Sequence, residues 1–124
     1  MEKKKVLSAD DILSADDMEV AHVECPEWGG VVAVKTMTGA ERDAFEMSMS
    51  ESNKKGAKKA ARLENLRARF IAATAVDEKG APRFTSAQVA ALGKKSAKAL
   101  DRCVDAARDL NGMFDSAVED AEGN

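Results

Sequence analysis

Cysteine and histidine are the side chains from which metal and nucleophilic sites are most often built, and this chain has few of either. Cys25 and Cys103 lie far apart in sequence, and neither stands in a Cys-x-x-Cys pair. The two could form a single disulfide, but nothing marks the chain for secretion, so two free thiols are expected. Each has apolar neighbours and reads as a small buried hydrophobe. His22, within Val20-Ala21-His22-Val23, is the one histidine. One imidazole without clustered cysteines does not make a zinc site. No nucleophile and acid are spaced to build a triad around it, so it reads as a partly exposed strand residue.

Other motifs fail on spacing in the same way. Asp10-Asp11 and Asp16-Asp17 invite a calcium reading, but the glycine and closing glutamate of an EF-hand loop are missing. Gly29-Gly30 has no Lys-Ser/Thr sequel and cannot be a phosphate loop. The run 53–62 carries a charge of +5 with no aromatic to stack on a base, which argues against a nucleic-acid site. The expectation is therefore no enzyme: no catalytic residue, no metal ligand and no cofactor.

The elements that would position any other site come from a thin apolar inventory. Of 124 residues 44% are hydrophobic, but 23 are alanine, and Leu, Ile, Val and Phe together also number only 23. Such a fraction, about a fifth, borders on disorder only when net charge is high. Here 19 basic and 22 acidic side chains leave −3. Charge is segregated along the chain: residues 1–52 carry −7, residues 53–100 carry +9 and residues 101–124 carry −5. No apolar run approaches the roughly 18 residues of a membrane span, and Met1-Glu2-Lys3-Lys4-Lys5 leads into no signal-peptide stretch.

Helix starts are legible. Leu7-Ser8-Ala9-Asp10-Asp11 recurs as Leu13-Ser14-Ala15-Asp16-Asp17, each a capping box with a staple, and predicts one or two short turns in an acidic arm over 1–17. Val20 and Val23, then Pro26, Trp28-Gly29-Gly30 and Val31-Val32-Ala33-Val34, predict a β-hairpin over about 19–35. Trp28 is there either a core anchor or an exposed contact. Thr38 with Glu41 opens a helix over about 39–51, with Ala44, Phe45, Ser48 and Met49 on one face. The stripe Leu63, Leu66, Phe70 and Ala73 predicts a helix over about 61–76. Thr85 with Gln88 opens a short one over 86–93, and Ser96 caps the last over 96–111, with Leu100, Cys103, Val104, Ala107 and Leu110 on one face. The expected fold is α+β, mostly α: one small domain over 18–112, a hairpin followed by three to four helices, with an acidic tail over 113–124.

An ordered set of these pieces resembles the tail assembly chaperones of long-tailed, siphovirus-type bacteriophages. It comprises Pro26-Glu27-Trp28-Gly29-Gly30 through Val34-Lys35 and Thr38-Gly39-Ala40-Glu41 through Phe45-Glu46, followed by Glu64-Asn65-Leu66-Arg67-Ala68-Arg69. Val76-Asp77-Glu78-Lys79-Gly80, Arg83-Phe84-Thr85, Leu92-Gly93-Lys94-Lys95-Ser96 and Ala99-Leu100-Asp101-Arg102 through Leu110-Asn111-Gly112 complete it. Residues 47–61 depart from the pattern. The resemblance implies a non-enzymatic factor that binds the phage tape-measure protein, keeps that long helical chain soluble, and assists tail-tube subunits as they polymerise around it. It also implies the host cytoplasm as location, absence from the mature virion, the major tail (tube) protein as a second partner, and no membrane. Self-association stays open. Such a role needs an apolar strip that the core does not consume. The residues expected to supply it are Trp28, Leu63, Leu66, Phe70, Leu100, Val104, Leu110 and Phe114. The competing expectations are a minor tail or connector protein of the virion, and a small nucleic-acid-binding regulator using 53–62.

Overall fold

The computed structural model describes residues 4–52 and 65–113. Leu63, Phe114, the basic run 53–62, the first part of the helix expected over 61–76 and the acidic tail after Met113 lie outside the described residues. The fold is α+β, mostly α, with a three-stranded antiparallel sheet in the order β1-β2-β3.

The arm contains helix α1, Ala9–Ser14. The Asp11 N–H donates to Ser8 Oγ at 3.1 Å and the Ser8 N–H to Asp11 Oδ2 at 3.0 Å, which closes the expected capping box. The second box does not open a helix. An N-cap residue must be extended, and Ser14 is already held as the last helical residue. Val6, Leu7, Ile12 and Leu13 are exposed along this arm.

Strands β1 (Val20–Cys25) and β2 (Gly30–Lys35) pair from Val20 opposite Lys35 to Cys25 opposite Gly30. Alternation along β1 buries Val23 and Cys25 and leaves Val20, His22 and Glu24 exposed. A single 3₁₀ turn, Pro26–Trp28, joins the strands, and Gly29 at φ +80° closes it with its N–H on the Pro26 carbonyl at 3.1 Å. Helix α2, Gly39–Ser52, starts on the Thr38/Glu41 capping box.

Helix α3, Leu66–Thr74, ends two residues before the predicted limit. Ala75–Val76 is instead strand β3, with Ala75 opposite Val34 and Val76 opposite Ala33. The stripe count could not register this, because two residues carry no period. What ends the helix is the free edge of β2, whose backbone groups need partners. A turn follows in which Asp77 Oδ1 accepts from the N–H groups of Lys79 and Ala81. The short helix expected over 86–93 is a 3₁₀ turn, Ser86–Gln88, running into α4, Val89–Leu92. Gly93 follows directly under the Asn65 carboxamide, where a Cβ would collide with it.

Helix α5, Ala97–Leu110, capped by Ser96, lies across β1 and β2 and against α3. Ala99, Leu100, Cys103 and Ala107 meet Val23, Cys25 and Val34 of the sheet and Ala68, Phe70 and Ile71 of α3 in one core. Thr74 is buried and satisfied, its Oγ1 donating to the Phe70 carbonyl at 2.9 Å.

Asn111, the C-cap of α5, ties the helix to the sheet. Its Oδ1 accepts from the Met37 N–H at 2.7 Å, and its Nδ2 donates to the carbonyls of Ala107 at 2.8 Å and Lys35 at 3.2 Å. Arg42 Nη1 adds a bond to the Asn111 carbonyl at 3.3 Å. Truncating this amide leaves partly buried groups at the end of β2 unpaired. Asn111→Ala is therefore expected to cost about 2 kcal/mol, read as a lower urea midpoint with an unchanged slope.

Candidate functional site

The surface beside the β3 edge of the sheet is not fully covered. An open groove of about 780 Å³ runs between α2, the end of α3 with β3, and the segment from Pro82 to Val89. Ala44, Phe45 and Ser48 form one wall and Pro82, Phe84 and Val89 the other, with Ala73, Ala75 and Val76 between them. Its size falls within the range of ligand-binding clefts.

Each wall is set locally. The Glu41 carboxylate holds the start of α2 by accepting from the Thr38 N–H at 2.9 Å, and also pairs with Lys35 at the end of β2. Those donors, Lys35 first, hold the Glu41 carboxyl below its ordinary range. Thus the first turn of α2 is tied to the end of β2. Phe45 is its inward anchor, tilted against Phe70 with ring centroids 5.5 Å apart. On the other wall the Gln88 carboxamide accepts from the Thr85 N–H at 2.9 Å, which presents Phe84 before the 3₁₀ turn and Val89 after it.

Phe84 also lines a second, smaller pocket of about 320 Å³, together with Trp28, Val32, Ile71, Leu92 and Lys95. Trp28 is half-buried and packed against the core, and one side of it lines this pocket. The structure separates the other expected contact residues. Phe70 and Leu100 are 4% and 3% exposed and belong to the core. Val104 and Leu110 are half-buried against that core on α5, away from the groove. Leu66 is 37% exposed at the start of α3 and lines neither pocket.

Phe45, Val76, Phe84 and Val89 are not among the expected contact residues. Phe45 lies on the predicted apolar face of α2, and Phe84 and Val89 flank the capped start at Thr85 and Gln88. Their convergence depends on β3, which had no sequence signal. Among the described residues no group of three or more His, Cys, Asp or Glu side chains is gathered to hold a metal ion. No described helix is long and apolar enough to cross a membrane. The groove offers apolar surface with a few charges at its margin, and that chemistry recognises apolar side chains.

A two-pronged charge pair lies elsewhere, between α5 and the hairpin turn. Arg102 grips Glu27 with both nitrogens, at 2.7 and 2.9 Å, and adds a bond from Nη1 to the Glu24 carbonyl at 3.4 Å. This fork holds the Glu27 carboxyl down from 4.5 to about 2. Comparison with known protein families, with characterised proteins and with solved structures yields no match.

A carboxyl depressed in the folded state stabilises it fully above its unfolded value, and that contribution is lost as pH falls through the folded one. The Glu27 contribution should therefore disappear between about pH 4.5 and 2. Melting temperature followed over this window should fall less steeply in Glu27→Gln than in the unaltered chain. Equal slopes would show that the pair does not act in solution.

Proposed function

We propose that this protein is a non-enzymatic binding module that shields an apolar helical segment of another protein chain, acting as a tail assembly chaperone for a phage tape-measure protein. The observation that carries the reading is the groove walled by Phe45, Phe84 and Val89, an apolar cleft left open beside a small core. A partner helix presents apolar residues three and four apart, and such a row fits a cleft between a helix and a short turn. The ordered resemblance over residues 20–112 supports the same reading and supplies the partner. On this proposal the contact surface is the groove with the Trp28 pocket, while Phe70 and Leu100 support it from beneath.

The role requires release as well as capture. A cleft made by short elements and a few anchors gives modest affinity, so polymerising tail-tube subunits can displace the chaperone. The protein would then act in the host cytoplasm and be absent from mature particles. The tail-tube protein is the second proposed partner.

The test is co-expression of the full chain with the tape-measure protein, reading the soluble fraction of the latter. Ala44 is an exposed residue of α2 that lines the groove, and Asp43 beside it is exposed and lines neither pocket. Ala44→Arg is expected to reduce protection about tenfold or more, equivalent to about 1.4 kcal/mol of binding, while Asp43→Arg retains it. Matching circular dichroism and melting curves for the two variants would keep folding out of the comparison. Equal protection by both would remove the groove from the mechanism, and a stoichiometric presence in purified tails would remove the chaperone role.

A further inference from the structure

Cys25 ends β1 and Cys103 lies in the middle of α5, and the fold brings their sulfur atoms to 3.5 Å. Both side chains are completely buried, and both are free thiols. A disulfide needs about 2.05 Å between sulfurs, so closure requires a shift of about 1.5 Å, shared between two side-chain rotations. We propose that Cys25 and Cys103 form an oxidisable dithiol site, which a low-molecular-weight disulfide converts to an intradomain cross-link between β1 and α5.

Because both sulfurs are enclosed, the reagent reaches them through a local opening of α5 from β1. Arg102, adjacent in sequence to Cys103, interacts with Cys25 as well as with Glu27. The guanidinium thus acts on both sulfurs of the pair. Burial, with Cys25 as a neighbour, pushes the Cys103 thiol up to about 12. Arg102 bonds the Glu24 carbonyl of β1 as well as Glu27 of the adjoining turn, so β1 and α5 are already held together beside the sulfur pair.

The exchange balances in two steps. One of the two thiols, as its thiolate, attacks one sulfur of the reagent disulfide, forming a mixed disulfide and expelling one small thiolate. The other sulfur, losing its proton, attacks the protein sulfur of that mixed disulfide and expels the second. Two protein thiols are oxidised, the reagent disulfide is reduced to two small thiols, and the two protons released from the protein are taken up by them. No residue of β1 or α5 lines the 780 Å³ groove, so the cross-link would stiffen the domain without obstructing it.

The experiment uses the full chain, folded, equilibrated with oxidised glutathione in about tenfold excess over reduced glutathione. The expected product is about 2 Da lighter, has no titratable thiol after denaturation, and reverts with a dithiol reductant. Its melting temperature should rise by about 10 °C or more, because the bond closes a long loop in the unfolded chain. Cys103→Ala should yield a single glutathione adduct and no such rise. Retention of both thiols would overturn the proposal, as would glutathione adducts on the unaltered chain in place of the cross-link. An oxidised form melting below the reduced one would also overturn it. The deciding readouts are made on the unaltered chain, so they stand even if the variant does not fold.

Discussion

The structure depends on how closely α5 can lie on the sheet. Ala99, Cys103 and Ala107 recur at intervals of four on one helix face, and each is 0% exposed. Small side chains let the helix backbone approach β1 and β2 until Cys25, Val23 and Val34 fill the remaining space. A chain with few large apolar residues cannot fill a wide gap, so it closes the gap instead. That constraint explains why alanine dominates the hydrophobic count while a single core still forms. It also places Cys25 against Cys103 and brings Arg102 within reach of Glu27.

Polar ties do the work at the margins where the core is thin. Asn111 joins the C-terminus of α5 to the residues after β2, and Arg102 joins its middle to the hairpin turn. A third contact, between Arg67 of α3 and Asp101 of α5, is exposed on both sides and contributes little by comparison. The buried polar side chains of the described residues are satisfied. The small core is therefore not further weakened by orphaned polar groups.

The groove follows from the same economy of large side chains. Phe70 and Ile71 are consumed by the core, and Phe45, Phe84 and Val89 are drawn only part way in. They leave apolar surface that neither water nor the domain itself satisfies, which is the physical basis for proposing a partner there. The arm is a separate exposed apolar element, with Asp11 closing the cap of α1 and pairing with Lys5.

Local chemistry was legible from the residues alone. The starts at Ser8, Thr38, Thr85 and Ser96, the hairpin turn at Pro26-Glu27-Trp28-Gly29 and the apolar face of α5 each lie within a few neighbouring positions. They are decided by caps, turn geometry and helical period, which a sequence carries directly. Tertiary structure alone decided what depends on partners distant in the chain. Ala75 and Val76 leave the helix because the edge of β2 needs hydrogen-bond partners. Phe70 and Leu100 become core while Phe84 becomes groove wall, a division that amphipathic spacing does not make. The contact between Cys25 and Cys103 arises only when α5 settles on β1, since a separation of 78 positions has no local signature.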